Sequence, residues 1–442
     1  MVAPAADIDV IDQPRRASGP SRSSAAPRRR SLLGFGILHS LNTALNMAFT
    51  LTQLLVLARL LPLERYSQIV FLASIGFYLQ PLDQALGKAS FVTLHASRSA
   101  GLAAAGRRVS VATAAQFALI LVMTVAVATA LSPISSTAWV ENALFLFLCL
   151  VTNFWAFELQ STAWALDRNL PFVKLALVHR TAHFCALALG YASGSLLLFV
   201  AIACGATLIC LVIAAGMFVR AGLLEKGGNV TSWVAYARTF GVALLATMVD
   251  LLVLNAPYAL ISARFGIGPP LVVFDSVMKL ARIVMAGART LAEIALSRHA
   301  AFVATGQLRK AQQLFLIVLA GCVGATIGPA LAVMFAGSFV FSLLLGGNNV
   351  VPHEAMIPAA VILLASALYQ PAMFFLGYSN NRRAIQRLTL CAAGGVALFA
   401  ATIWLGALTP TSMLVLFGAC FVALTTIAVL QTWLLFRGSR GA

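Results

Sequence analysis

The sequence predicts an all-α membrane protein of twelve transmembrane helices, and three observations predict it. Of its 442 residues, 61% are hydrophobic and only 10% are charged. A soluble chain carries about 25% charge, and no water-soluble core needs so much apolar surface. Second, twelve runs reach the roughly 20 apolar residues that cross a bilayer. They lie at 33–60, 67–93, 111–131, 140–166, 171–192, 195–219, 232–262, 270–297, 311–336, 355–378, 388–407 and 412–436. Third, the connections between them are charged asymmetrically. One side holds 21 Lys and Arg residues, and the other only Arg59, Arg65 and Arg264.

Cations collect on the cytoplasmic side of membrane proteins, so both termini are expected in the cytoplasm, with an even number of spans. Continuous apolar runs exclude an outer-membrane barrel, whose strands are short and alternating. The formal net charge of +17 would suggest nucleic acid in a soluble protein. Here topology accounts for it, and no nucleic-acid partner is expected.

The spans divide six and six at "AGLLEKGGNV" (221–230). The expected organisation is a disordered basic cytoplasmic tail at 1–31, a six-helix bundle at 32–220 and a cytoplasmic linker at 221–230. A second six-helix bundle follows at 231–437, and a short cytoplasmic tail at 438–442. The tail ends in "PRRRS" (27–31), which suits a solvated orienting segment or contact with anionic headgroups. No apolar stretch and cleavage site precede the first span, so no signal peptide is expected. A weak echo joins the halves, between "LARLLPLERYSQIVF" (57–71) and "ISARFGIGPPLVVF" (261–274). An even number of spans per half would make the halves parallel repeats. The seven cysteines all lie in apolar segments without a CxxC pair, which fits small buried hydrophobes and no disulfide framework.

Span eight holds the unusual feature, "DSVMKLARIVMAGARTLAE" (275–293). Asp275, Lys279, Arg282, Arg289 and Glu293, with Ala286 in the gap, are spaced 4, 3, 4, 3, 4. On a helix this is a stripe roughly 80° wide and about 27 Å long, close to the hydrocarbon thickness. Five charges facing lipid would cost on the order of 12–17 kcal/mol, so the stripe must face water or partners on other helices. Asp275–Lys279 and Arg289–Glu293 are i,i+4 pairs that can neutralise each other. Arg282 has no such partner. It is a candidate substrate contact, or else it pairs with an acid on another span, such as Asp250 or Asp83.

Other spans repeat the theme. Span one carries an uncharged polar stripe of His39, Asn42, Asn46, Thr50 and Gln53; span two carries Gln80, Asp83, Gln84 and Lys88. The span-one stripe suits either interhelical hydrogen bonds or a cavity wall with sugar contacts. Glu158, Arg180, His179, His183, Arg238 and Asp250 are embedded as well. Glu158 and Arg180 lie at similar depth and are expected to form a structural pair. Lys88, Arg180, Arg238 and Arg289 fall in the cytoplasmic half, which suits an anionic ligand entering from the cytoplasm; arginine holds phosphate in bidentate fashion. No Walker A motif, HExxH or paired Cys/His site occurs, so neither ATP-driven machinery, a metal centre nor a cofactor is expected. The longest outer loop is expected at about 337–354, too short for a soluble catalytic domain.

Three stretches carry a family resemblance. The exit from span one, "LLVLARLLPLERYSQIVFL" (54–72), matches in kind a pattern of apolar run, Ala-Arg-Leu-Leu-Gly-x-x-Glu-Tyr-Gly, through Ala58, Arg59, Leu60, Leu61, Glu64 and Tyr66. Pro62 and Ser67 replace its glycines, and Arg65 is inserted before the tyrosine. "LLLGGNNVVPHEAMIPAAVILLASAL" (343–368) is similar to the family's entry to span ten, and "FLGYSNNRRAIQ" (375–386) to its short basic turn after it. With the twelve-span layout over about 32–437, the chain resembles the polysaccharide flippases (Wzx-like) of the multidrug/oligosaccharidyl-lipid/polysaccharide (MOP) exporter superfamily.

The resemblance implies two six-helix bundles around a V-shaped central cavity lined by spans one, two, seven and eight. It implies a bacterial inner-membrane carrier, not an enzyme, that moves a polyprenyl-pyrophosphate-linked oligosaccharide from the cytoplasmic to the periplasmic leaflet by alternating access, sometimes coupled to an ion gradient. Arg282, Arg289, Lys279, Arg238, Lys88 and Arg180 would then attract the anionic headgroup. His39, Asn42, Asn46, Gln53 and Gln80 would face sugar. Asp250, Asp275 or His183 would carry a coupling proton. Partners would be the lipid-linked glycan, the bilayer, and polysaccharide polymerase and export machinery. Three alternatives stand beside this: a multidrug or cation antiporter of the same superfamily, a membrane-embedded synthase or ligase, and a scaffold of an envelope-assembly complex.

Overall fold

A computed structural model describes residues 29–96, 102–223, 233–304, 306–346, 349–378, 382–406 and 409–437. Residues 1–28, most of the proposed linker and the tail at 438–442 lie outside the described residues. The described chain folds into twelve long helices joined by short turns. In order they are α1 (Arg29–Leu60), α2 (Leu63–Ala96), α3 (Leu102–Leu131), α4 (Thr137–Ala165), α5 (Asn169–Ala192) and α6 (Leu196–Arg220). Then come α7 (Trp233–Asp250, Leu251–Asn255 and Ala256–Phe265), α8 (Pro269–Ala304), α9 (Leu308–Leu345), α10 (Met356–Tyr378), α11 (Arg382–Leu405) and α12 (Pro410–Arg437).

Eleven helices among the described residues are long and apolar enough to cross a membrane. The remaining one, α8, is long enough at 36 residues and differs by carrying the charged stripe. Apolar side chains cover the outside, for example Val212, Phe335, Phe339 and Leu390, as a lipid-facing surface requires.

The helices form two bundles with one plan. In the first, α2 packs on α3 and α4, α4 on α3 and α6, α5 on α6, and α1 on α5. Shifting every number by six reproduces the second: α8 packs on α9 and α10, α10 on α9 and α12, α11 on α12, and α7 on α11. The echo between Arg59 and Arg264 thus marks equivalent helix ends. Between the bundles, α2 lies along α7, with smaller contacts of α2 with α8 and of α1 with α8 and α9.

Two helices are interrupted by π-turns, Trp155–Leu159 in α4 and Leu251–Asn255 in α7. A π-turn inserts an extra residue and releases backbone groups, and such turns gather at functional positions. Close helix approach is bought by small residues. A Cβ at Gly87 of α2 would sit 2.6 Å from the Phe157 carbonyl oxygen in the α4 π-turn, and one at Gly76 would sit 3.1 Å from Cys149 Cβ.

One expected loop is wrong. The helix α9 continues through 337–345, with non-helical torsions only at Ala336. Phe341, Leu344 and Leu345 are buried there, so apolar packing extends the helix past the predicted span end. It stops at Gly346, whose φ of +57° and ψ of −130° form a backbone conformation that glycine adopts without the strain a side chain would add.

Candidate functional site

The site is the seam between the bundles, walled by α1, α2, α7 and α8. Its far end lies opposite the basic connections, and its basic end lies beside them.

At the far end, Arg59 of α1 donates from Nη2 to the Leu343 carbonyl of α9 at 3.0 Å. Its aliphatic stem fits against Gly346, where a Cβ would meet Arg59 Cγ at 3.1 Å. The guanidinium thereby satisfies a carbonyl of the final turn of α9, at the negative end of the helix dipole. Within the first bundle, Arg65 holds Glu141 at 2.7 Å and also donates to Asn142 and Gln68.

One turn in, the α8 stripe begins, and the expected i,i+4 pair is formed. Lys279 Nζ lies 2.6 Å from Asp275 Oδ2, and Tyr258 of α7 donates to Asp275 Oδ1 at 3.0 Å. Lys279 also lies 5.7 Å from the centre of the Tyr66 ring on α2. This charge is thus neutralised within its own bundle and presented to the other.

At mid-height sits a knot of three helices. Pro81 of α2 has no N–H, so the Phe77 carbonyl four residues earlier loses its helical donor; Asn255 Nδ2 of α7 replaces it at 2.8 Å. The α7 π-turn exposes its own carbonyls in return. Tyr78 donates to the Asn255 carbonyl at 2.7 Å and accepts from Ala259 N at 2.9 Å. Arg282 of α8 closes the knot, donating from Nη2 to Asn255 Oδ1 at 3.2 Å and lying 3.4 Å over the Phe77 ring. Neither Asp250 nor Asp83 pairs with it: Asp250 accepts from Tyr369 at 2.7 Å and Asp83 from Gln116 at 2.8 Å. The seam thus engages Arg282 through Nη2 and the ring face, while Nη1 is buried with no hydrogen-bond partner among the described residues.

Below the knot the seam changes character. Lys88 is exposed where α2 faces α7 and α8. It lies within electrostatic reach of Asp250 on α7 and Arg289 on α8. Arg289 is half-buried with its guanidinium 5.9 Å from the Phe157 ring; the side chain of its expected partner Glu293 lies outside the described residues. Arg238 is exposed further toward the basic end.

The α1 stripe follows on the first-bundle side of the seam. Asn42 is buried, while His39, Asn46, Gln53 and, on α2, Gln80 are half-buried. Asn46 Oδ1 has no hydrogen-bond partner among the described residues. His39 makes an edge contact with Trp164. Met47 reaches α8, its Cε lying 3.7 Å from a Cβ built at Gly287.

Two expected residues do not join the seam. Arg180 lies over the Phe49 ring at 4.9 Å, inside the first bundle between α5 and α1. Glu158 instead accepts from Ser90 at 2.9 Å and Thr113 at 2.8 Å. The expected Glu158–Arg180 pair is therefore absent, because similar depth places the two residues on faces that point to different neighbours. His183 is buried beside His179, and both ring nitrogens meet Thr207 Oγ1, at 2.9 and 3.0 Å. No group of three side chains able to hold a metal occurs among the described residues.

No family model matches this sequence, and no curated protein does. Solved structures do match its fold. An inward-facing multidrug resistance MATE family transporter of the MOP superfamily superposes with a TM-score of 0.67 at 12% identity, covering 91% of this chain and 96% of that one. The fold is that of the MATE transporters. A MATE structure in the straight conformation superposes with a TM-score of 0.65 at 11% identity over 92% of this chain and 96% of its own. An outward-facing MATE structure superposes less well, at 0.61 with 12% identity and the same coverage. The MATE fold supplies the two-bundle frame, and the residues lining the seam are this chain's own.

Proposed function

We propose that this chain is a carrier of the MOP superfamily, not an enzyme. It moves a polyprenyl-pyrophosphate-linked oligosaccharide from the cytoplasmic to the periplasmic leaflet of a bacterial inner membrane. The observation that carries the reading is the contrast along one seam. Its far half is tied by Arg59, Lys279 and Arg282, while its basic half presents an exposed Lys88 and a half-buried Arg289. Two cations from opposing bundles, at the mouth where positive charge collects, suit a diphosphate headgroup. The half-buried amides Asn46, Gln53 and Gln80 sit further in, where sugars would follow. Closure of one end with the other open is one state of alternating access, in which the ligand favours one state by differential contacts.

In a strain making surface polysaccharide, Lys88→Glu with Arg289→Glu should abolish glycan export at near-normal protein level. Wild-type export from that variant would remove the cleft from the mechanism. Reporter fusions at Ser135 and Thr409 should read periplasmic, and those at Gly227 and Asn381 cytoplasmic; any reversal overturns the orientation. Polymerase and export proteins of the same pathway are the proposed partners.

The second reading, a multidrug antiporter, is favoured by what the matched structures are. It predicts drug resistance on overexpression without effect on glycan. The embedded cations of this seam argue against a cationic cargo.

A further inference from the structure

The second bundle holds an apolar groove that the seam does not use. It lies where α7, α11 and α12 meet and measures about 30 Å³. Val253 and Pro257 of α7 form one wall, Ala392 and Gly395 of α11 another, and Cys420 and Phe421 of α12 the third. Gly395 leaves the gap, since a Cβ there would come no closer to any atom than 4.0 Å from Cys420 Cβ. Cys391 also lines the groove and is exposed, as are Leu390 and Leu398 on the same helix. The groove therefore opens onto the lipid-facing surface of α11, on the side of α7 away from the seam.

What fills it follows from its chemistry. A gap of this size has room for water, but a buried water needs polar partners. The lining side chains offer only the thiols of Cys391 and Cys420, which are weak hydrogen-bonding groups. An empty groove would leave its walls without dispersion contacts. Hydrocarbon meets both conditions, and the depth is right. Gly395 lies eight residues past Arg387, about 12 Å along the helix, and no charged residue occurs from 388 to 436.

The residues above the groove decide which hydrocarbon it takes. Arg383, Arg387, Cys391 and Gly395 follow one another at four-residue steps on α11, and both arginines are exposed at the basic end. Arginine holds phosphate in bidentate fashion, and basic clusters at this surface attract anionic headgroups. A lipid whose phosphate sits on these two residues has its chain directed along α11 into the groove.

We propose that α11 carries a binding site for an anionic phospholipid of the leaflet at the basic end. Its phosphate rests on Arg383 and Arg387, and one acyl chain fills the groove against the α7 π-turn. The occupant is a phospholipid of the surrounding bilayer rather than the carried lipid, because the groove opens outward from the second bundle. The chain props a working part of the molecule. Val253 belongs to the π-turn, and Asn255, two residues on, bonds both the Phe77 carbonyl and Arg282. Phe421 packs on Tyr369 with ring centres 5.2 Å apart, and Tyr369 donates to Asp250. A filled groove thus bears on the knot at mid-height and on the acid within reach of Lys88.

The test needs no glycan. The full chain is purified in detergent, bound lipid is counted by native mass spectrometry, and thermal unfolding is followed with added lipid. Dioleoyl phosphatidylglycerol should stay bound and raise the unfolding temperature. Dioleoyl phosphatidylcholine, with the same chains and no net charge, should raise it less. Dihexanoyl phosphatidylglycerol, with chains too short to reach the groove, should also raise it less. Gly395→Leu fills the groove, and should lose the bound lipid and most of the shift. Arg383→Gln with Arg387→Gln should erase the difference between the two dioleoyl lipids. Equal stabilisation of wild type by all three lipids overturns the site, as does a Gly395→Leu shift equal to that of wild type. Where Gly395→Leu fails to fold, the three-lipid comparison on wild type decides alone. Displacement of phosphatidylglycerol by an equal amount of polyprenyl phosphate would make the occupant the carried lipid's tail and overturn the assignment. None of these failures touches the cargo reading, and normal glycan export from the Lys88 and Arg289 variants would sink that reading while leaving this site.

Discussion

The two halves of the inter-bundle seam are built from the same stripe on α8 and behave as opposites. In the far half, Asp275, Lys279 and Arg282 each find partners on α2 or α7. In the basic half, Lys88 and Arg289 lie within electrostatic reach of Asp250, which is also held by Tyr369, and Arg289 reaches the Phe157 ring of the first bundle. The difference teaches that a charged row inside a membrane protein need not have one purpose. The far half uses its charges to hold two bundles together, while in the basic half Lys88 stays exposed.

The comparison is broken most severely by removing the acid of the far half. Asp275→Ala would strand Lys279 in a buried site, a loss of about 3–5 kcal/mol for a buried pair cut on one side. Thermal unfolding of the purified protein should show the largest drop of any seam variant. A drop no larger than that of a surface variant would mean that Asp275 is not an anchor. Next comes Arg282→Ala, which removes the stacking on Phe77 and the bond to Asn255. Desolvated cation–π contacts are worth about 2 kcal/mol, so the melting temperature should fall, but less. Arg282→Lys sharpens the point. It keeps the charge and loses the planar face and the fork, so it should fall between wild type and Arg282→Ala. If lysine matched wild type, charge alone would be at work and the knot would be incidental.

How much of this was legible beforehand follows from what periodicity encodes. Spacing on a 3.6-residue helix revealed the stripe and the Asp275–Lys279 pair, because both are properties of one helix. Charge asymmetry and apolar runs were enough for twelve helices in two halves. The partners of Arg282 were not legible. Asn255 lies on a π-turn, for which the sequence carries no periodic signal, and the turn decides which carbonyls face α8. Pro81 does carry a signal, because a proline in mid-span frees the carbonyl four residues before it. The missing Glu158–Arg180 pair fails for a related reason. Counting residues from a helix end gives height in the membrane, whereas pairing depends on azimuth, which tertiary packing sets. Gly87 lets α2 close on the α4 π-turn, and there Glu158 meets Ser90 of α2.

The smallest effect on stability should come from the basic half, and it discriminates most sharply. Lys88 is accessible and not anchored by a short ion pair, so Lys88→Ala should change stability by less than about 0.5 kcal/mol, the range of ordinary exposed substitutions. Glycan export by the same variant should nevertheless drop several-fold, and Lys88→Arg, which keeps charge and adds bidentate reach, should restore it. The far half predicts the reverse coupling, in which export falls only as stability falls. Plotting export against melting temperature for the Asp275, Arg282 and Lys88 variants therefore separates the two roles. Should Lys88→Ala fall on the line drawn by the other two, it is one more structural charge. The open half of the seam would then be open by accident of the conformation, and the headgroup would have to be sought elsewhere.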